Sequence, residues 1–84
     1  MLNLQFKDSE VIKIDLHNMK VWEAELYLSR EVSSAPKEIR EIVVIHGYHN
    51  GTAIMDMVRR DFKNPRVKQK ILSLNKGVTS LMLN

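Results

Sequence analysis

The sequence predicts an α/β fold in which strands and helices follow the order β-α-β-α-β-β. Segment 11–17 alternates apolar and polar residues, which is typical of a strand with one buried face. Segment 20–33 carries apolar residues at spacings of three and four, which form one stripe along a helix that Asn18 is expected to cap. Segment 42–45 is β-branched throughout, which favours a central strand buried on both faces.

The second half of the chain supplies the remaining elements. Segment 52–62 predicts a second helix, and segments 67–74 and 78–83 predict two strands joined by a short turn, which makes that pair antiparallel. Alternation in the third strand places Val67 and Ile71 on one side. The first two strands are joined by a crossover helix and are therefore parallel. Because the first and third strands keep a polar face, we expect a four-stranded mixed sheet with both helices on one face, an α+β sandwich.

The composition indicates one small globular domain. The chain has 84 residues, of which 44% are hydrophobic and 27% charged. The absence of cysteine excludes a disulfide scaffold and a thiol nucleophile, and it fits a cytoplasmic protein. No apolar run approaches the ~20 residues of a membrane span, and no signal peptide is recognisable. We expect a single domain over 1–84, with a core at 11–83 and with 1–10 as an N-terminal extension or edge strand.

Charge is unevenly distributed along the chain. Residues 1–41 contain six Lys and Arg against eight Asp and Glu, whereas residues 42–84 contain seven against two. The second half therefore carries a net charge of +5. This asymmetry suggests an anionic partner, with DNA or RNA as the first candidate, although a merely solvated basic surface would give the same pattern.

Polar side chains follow the first two strands at the point where each strand ends. Asp15 and His17 lie two residues apart at the end of the first strand, and His46 follows the second strand. Because the carboxyl ends of parallel strands share one edge, we expect these side chains to lie close together. Histidine can act as acid or base near neutral pH, and a carboxylate can orient it. Each residue taken singly also has a purely structural interpretation.

The loop after the second strand has features of an anion site. Gly47 and Gly51 permit close backbone approach, and Thr52 stands where the second helix begins. His49 lies in the same loop. A divalent ion such as Mg²⁺ is compatible with this edge, but the histidine spacings do not support zinc. The cofactor requirement is therefore left open.

The chain resembles the Smr (small MutS-related) domain family. D-L-H-N-M at 15–19 resembles the family's D-L-H-G-(M/L) motif, and V-I-H-G-Y-H-N-G at 44–51 resembles its (V/I)-I-H-G-x-G-x-G motif. P-R-V at 65–67 and N-K-G-V-T at 75–79 resemble the family's proline-valine segment and closing G-(V/A)-T strand. The resemblance spans roughly residues 11–83 and implies the β-α-β-α-β-β order that the residues predict. It also implies a fold similar to the C-terminal domain of bacterial translation initiation factor three.

This resemblance implies nucleic-acid binding, often with nicking or endonuclease activity on DNA or RNA. The family's D-x-H residues match Asp15 and His17, which it implicates in cleavage or binding. The H-G-x-G loop matches His46 and Gly47, with Gly51 at its last glycine, and implies contact with the nucleic-acid backbone.

The chain departs from the family pattern at three positions. Asn18 replaces the glycine after D-L-H, and asparagine tolerates a left-handed backbone better than most residues. Tyr48 replaces a basic residue, and His49 replaces the middle glycine of the loop. These two side chains would either block a phosphate or supply new contacts, with Tyr48 stacking on a base.

Three hypotheses follow. In the first, the protein is a small nuclease whose Asp15 orients His17 or a metal ion, with His46 sharing acid–base work and the loop from Gly47 to Thr52 holding a phosphate. Basic residues of the second helix would then contact the flanking backbone: Arg59, Arg60 and Lys63. In the second, the same face binds structured DNA or RNA without cleavage. In the third, the domain binds protein through its exposed sheet face or through Trp22 and Leu26. A homodimer is compatible with each hypothesis.

Overall fold

The computed structural model describes residues 10–49 and 51–84 of the chain. The N-terminal extension or edge strand expected at 1–10 lies outside these residues except for Glu10. The elements follow the predicted order, with a second helix that changes from α to π geometry. They are β1 (Val11–Asp15), α1 (Val21–Ser34), β2 (Glu41–Ile45), α2 (Ala53–Asp56, continued as a π-helix over Met57–Asp61), β3 (Val67–Leu72) and β4 (Val78–Leu83).

The sheet has the strand order β1-β2-β4-β3. β1 and β2 are parallel, and β4 runs antiparallel to both β2 and β3. The predicted four-stranded mixed sheet with two helices is therefore confirmed. This order places the loops that follow β1 and β2 at the same edge as the start of β4, since Asp15 pairs with Ile45 and Ile45 with Val78. We call this the strand-end edge.

The hydrophobic core lies on one face of the sheet. Ile42 and Val44 of β2 are fully buried there against both helices, whereas Val43 and Ile45 on the other face are only half-buried. The expectation that 42–45 is buried on both faces is therefore wrong, although β2 is central. Both helices pack on the same side, so the opposite face of the sheet has no helix against it in the described part of the chain.

A bulge in β3 changes which residues share a face. The register with β4 shifts between Val67 and Gln69, so that Val67 pairs with Leu83 but Ile71 pairs with Ser80. Val67 therefore packs on the core, and Ile71 is exposed on the other face. The prediction that these two residues lie on one side is wrong, because strict alternation does not anticipate an extra residue.

The first helix is capped differently from the sequence prediction. Its N-cap is Lys20, whose backbone N–H donates to the side chain of Glu23 at 3.1 Å. Asn18 is not the cap, because it occupies the turn before the helix with a φ of 69°. On the outer side of the helix, Trp22 and Leu26 are exposed.

The second helix ends in a π-helical turn over Met57–Asp61. The N–H of Phe62 donates to the carbonyl of Met57, five residues earlier, at 2.7 Å. Met57 and Val58 at the start of this wider turn are adjacent residues that are both buried in the core. Phe62, at its end, is also buried there. None of the helices in the described ranges is long and apolar enough to cross a membrane.

Candidate nucleic-acid interface

The strand-end edge brings the predicted side chains together. The N–H of Leu16 donates to the carbonyl of Ile45 at 2.7 Å, which extends the parallel pairing one residue beyond β1. Asp15 and His17 therefore stand beside the loop that begins at His46. This juxtaposition follows from the parallel pairing, as the sequence predicted.

Asp15 and His17 form a hydrogen-bonded pair at the rim of this edge. His17 Nδ1 lies 2.5 Å from Asp15 Oδ1, which also accepts the backbone N–H of His17 at 3.0 Å. Hydrogen bonding from the His17 side chain and backbone lowers the pKa of Asp15 below its ordinary value. The side chains are 49% exposed for Asp15 and 56% for His17. An ionised Asp15 thus fixes the imidazole, and Nε2 has no hydrogen-bond partner among the described residues.

The turn after this pair depends on Asn18. Its φ of 69° lies in the left-handed region, which asparagine adopts more readily than other non-glycine residues. The turn lets the N–H of Met19 donate back to the carbonyl of the buried Leu16 at 3.2 Å. The sequence prediction that asparagine preserves this turn is confirmed.

His46 lies beneath the surface, in a chain of hydrogen bonds. It is 4% exposed. Its Nδ1 contacts the Gly47 carbonyl at 3.0 Å, and its Nε2 contacts Thr79 Oγ1 at 2.8 Å. Thr79 Oγ1 in turn accepts the Nε–H of Arg59 at 2.7 Å. Each hydrogen bond in this network has one donor and one acceptor when the His46 imidazole donates from Nδ1 and accepts the Thr79 hydroxyl at Nε2. Burial lowers the pKa of His46, which keeps the ring neutral, and the nearby Arg59 adds to this effect.

The loop backbone is held by Gly77 at the start of β4. The Gly77 carbonyl accepts the N–H groups of His46 and Gly47 at 2.8 and 3.0 Å. A Cβ at Gly77 would lie 3.3 Å from the Cα of Gly47, so only glycine allows this approach without a shift. Gly47 itself has a φ of 71°. The N–H of Gly51 donates to the carbonyl of Tyr48 at 3.3 Å. The two loop glycines therefore use their own N–H groups inside the protein.

The side chains of the loop line an open pocket. Tyr48 and His49 stack on each other, with ring centroids 4.5 Å apart and planes 26° from parallel. The pocket they line has a volume of about 370 Å³, and His17 stands at its edge. Its other side is formed by the start of the second helix, where Thr52 Oγ1 donates to Asp56 Oδ2 at 3.1 Å.

The seven basic residues of the segment 42–84 divide into two groups. Three bind carbonyl or hydroxyl groups within the fold: Arg59 contacts β4, Lys70 donates to the Phe62 carbonyl at 2.7 Å, and Arg66 donates to the Val32 carbonyl at 3.0 Å. Burial, assisted by neighbouring Lys63, lowers the pKa of Lys70. The other four are exposed: Arg60, Lys63, Lys68 and Lys76.

The three residues that we expected to contact the nucleic-acid backbone therefore do not form one cluster. Arg60 and Lys63 are exposed but lie at the end of the second helix, whereas Ala53 at its start lines the pocket. Arg59 turns inward to Thr79. In the described part of the chain, no group of three or more His, Cys, Asp or Glu residues is placed to hold a metal ion.

Comparison with solved structures supports the fold that the sequence predicts. No protein-family model matches the chain, and no curated protein matches it. Among solved structures, the chain is similar to the Smr domain of Thermus thermophilus MutS2, with a TM-score of 0.69 and 25% sequence identity. The match covers 87% of this chain and 98% of that one. The chain therefore has the fold of an Smr domain.

Sequence reasoning missed two residues that build the site. Gly77 and Thr79 hold the His46 loop from the start of β4. The G-V-T segment at 77–79, which resembles the family's closing strand, contains both residues. Because Thr79 lies 33 residues from His46, only the sheet pairing reveals their contact.

Proposed function

We propose that this Smr domain binds nucleic acid at the strand-end edge and cleaves a phosphodiester bond there. The observation that carries the proposal is the exposed hydrogen-bonded pair of Asp15 and His17 at the rim of a pocket. A carboxylate bound to one imidazole nitrogen leaves the other nitrogen to exchange a proton with substrate. The structural likeness to the Smr domain of MutS2 supports nucleic-acid binding by an Smr-like fold.

The chemistry assigned to this pair is general base catalysis. His17 Nε2 takes the proton of the attacking oxygen, either a water or a ribose 2′-hydroxyl, as that oxygen bonds to phosphorus. The bond from phosphorus to the leaving oxygen breaks, and the leaving oxygen takes a proton from solvent at this exposed rim. Asp15 holds the imidazole in the tautomer that accepts at Nε2 and stabilises the imidazolium that forms. Asp15 also offers its carboxylate to a divalent ion, should the reaction use one.

His46 is given a positioning role in this mechanism. Both of its ring nitrogens are engaged with Gly47 and Thr79, and the ring is buried. A neutral buried imidazole does not exchange protons readily with a substrate. His46 instead holds the loop that carries the pocket. This positioning role replaces the acid–base role expected from the sequence.

Affinity for the polyanion comes from the exposed basic residues. Lys76 precedes Gly77, which packs on the pocket loop, and Arg60 and Lys63 are exposed at the end of the second helix, away from the pocket. Neutralising phosphates releases counterions, so the affinity falls with salt.

Binding without cleavage is the second candidate function. It is favoured by the burial of His46, which leaves no second imidazole of the family motifs at the surface to protonate a leaving group. Tyr48 and His49 also occupy positions where the family pattern has other residues.

A cleavage time course separates the two functions. End-labelled single-stranded RNA, duplex DNA and branched DNA are incubated with the protein, with Mg²⁺ or with chelator, beside D15N and H17A. The exposed residue Glu38 supplies the control E38Q. Cleavage by wild type and E38Q but not by D15N or H17A supports a nuclease. Equal cleavage by all four proteins contradicts it, and retained binding without cleavage leaves the binding module.

A further inference from the structure

We propose that the pocket of the strand-end edge binds an unpaired nucleobase, so that this domain selects single-stranded over fully paired nucleic acid. The inference rests on the proposed function and names its substrate class. Four features carry it: the stacked Tyr48–His49 pair, the walls of the pocket, the occupied loop amides and the position of His17.

The aromatic pair forms a platform suited to a base. Tyr48 and His49 are both exposed, and their stacked rings lie 4.5 Å apart. A pre-stacked pair needs no rearrangement to receive a third ring, which lowers the ordering cost of binding. Exposed aromatic rings are the usual stacking surface for unpaired bases in single-stranded recognition.

The remaining walls suit an aromatic ring better than a phosphate. Ile45, Ala53 and Ile54 supply apolar surface around the pocket. At about 370 Å³, it lies at the small end of the range for ligand pockets, which fits one planar base. A phosphate, in contrast, needs N–H donors or cations in direct contact.

The loop amides of the two glycines are not offered to a phosphate. Gly47 donates its N–H to Gly77, and Gly51 donates its N–H to Tyr48. The chain also carries side chains at Tyr48 and His49 where the family pattern has a basic residue and a glycine. This loop therefore recognises its ligand through aromatic side chains rather than through a glycine backbone.

The position of His17 connects the pocket to the chemistry. His17 lines the same pocket as Tyr48, and Asp15 is hydrogen-bonded to it. A base stacked in the pocket would place its own phosphodiester at the rim, next to that pair. A base within a duplex would first have to leave the stack, at a cost of a few kcal/mol, so unpaired strands are favoured.

The test is a fluorescence anisotropy titration in chelator with three labelled DNA probes of equal length. They are a single strand, the same phosphate backbone carrying abasic sites, and a blunt duplex of that strand with its complement, in which every base is paired. Wild type should bind the single strand about 5- to 100-fold more tightly than the abasic strand, as loss of base stacking predicts. Y48A should lose this preference, whereas Y48F should keep it, because the ring rather than the hydroxyl stacks. Tyr27, exposed on α1, supplies the matched control Y27A, which should behave as wild type.

Two results would overturn the inference. The first is equal affinity of wild type for the single and abasic strands, and the second is a Y48A variant that binds like Y27A. Either would mean that the protein recognises only phosphates, so the inference would fail while nucleic-acid binding would stand. Absence of binding to all three probes would remove the proposed function and the inference together.

Discussion

Thr79 Oγ1 lies 2.8 Å from Nε2 of the buried His46, so that the closing strand of the sheet is joined directly to the loop of the candidate site. Thr79 also accepts a hydrogen bond from Arg59 at 2.7 Å. The loop is therefore held by both the sheet and the second helix. The shape of the pocket depends on this contact, because His46 lines the pocket while being almost entirely buried.

The first prediction concerns this contact. T79V should lower the free energy of unfolding by about 1–3 kcal/mol, because it leaves the buried His46 Nε2 and the Arg59 guanidinium without their shared partner. Urea unfolding measures the change. T52V is the matched control, since the Thr52 hydroxyl is exposed and should contribute within about 0.5 kcal/mol. Equal stability of the two variants would contradict the structural role of Thr79.

The second prediction is a pH dependence of stability from His46. Burial lowers the pKa of its imidazole below the ordinary value of 6.5 in the folded state, so the unfolded chain binds the proton first. This contribution to stability is complete above about pH 6.5 and is lost as the pH falls toward the folded pKa. The unfolding free energy of wild type should therefore fall between pH 7 and pH 5 more steeply than that of H46Q. The difference in slope is at most about 1.4 kcal/mol per pH unit. Parallel slopes would show that His46 is not buried as a neutral ring.

The third prediction concerns the turn at Asn18. Its φ of 69° strains any residue with an ordinary side chain but not glycine. N18G and N18A both lose the asparagine side chain, so the difference between their free energies of unfolding reports on the backbone conformation. N18G should be the more stable by about 1 kcal/mol in urea unfolding, the reverse of the order that these residues show within a helix. A more stable N18A would contradict the left-handed turn.

The fourth prediction concerns the exposed basic residues. K63Q and R60Q should each weaken nucleic-acid binding and reduce the slope of log affinity against log salt by about 0.7–0.9. Lys37 precedes β2, at the opposite end of that strand from the strand-end edge, so K37Q is the control and should leave the slope unchanged. Anisotropy titrations over a range of salt concentrations measure the slopes. Equal slopes for all three variants would mean that the bound strand does not contact Arg60 or Lys63.

Local sequence patterns predicted the parts of the fold and site that depend on local structure. The first strand, predicted over 11–17 and observed as Val11–Asp15, the crossover to β2 and the proximity of His17 to His46 follow from periodicity and from the rules of parallel sheets. The left-handed turn at Asn18 follows from the preferences of one residue type.

Other features depend on contacts between distant residues and could not be foreseen. The bulge in β3 and the π-helical turn at Met57–Asp61 each break the regular period on which the predictions were based. The inward direction of Arg59 depends on Thr79, which is 20 residues away. Charge counts assigned this arginine to the surface, because a sequence does not show which cations the fold itself uses.

The most direct test of this account is an NMR titration of ¹⁵N-labelled protein with a short single-stranded DNA in chelator. The strand-end edge as the nucleic-acid interface predicts the largest amide shifts at His17, Gly47 and Gly51, with little change around Trp22 and Leu26 on the outer side of α1. Shifts centred on α1 or on the face of the sheet opposite the two helices, with the strand-end edge unchanged, would contradict it.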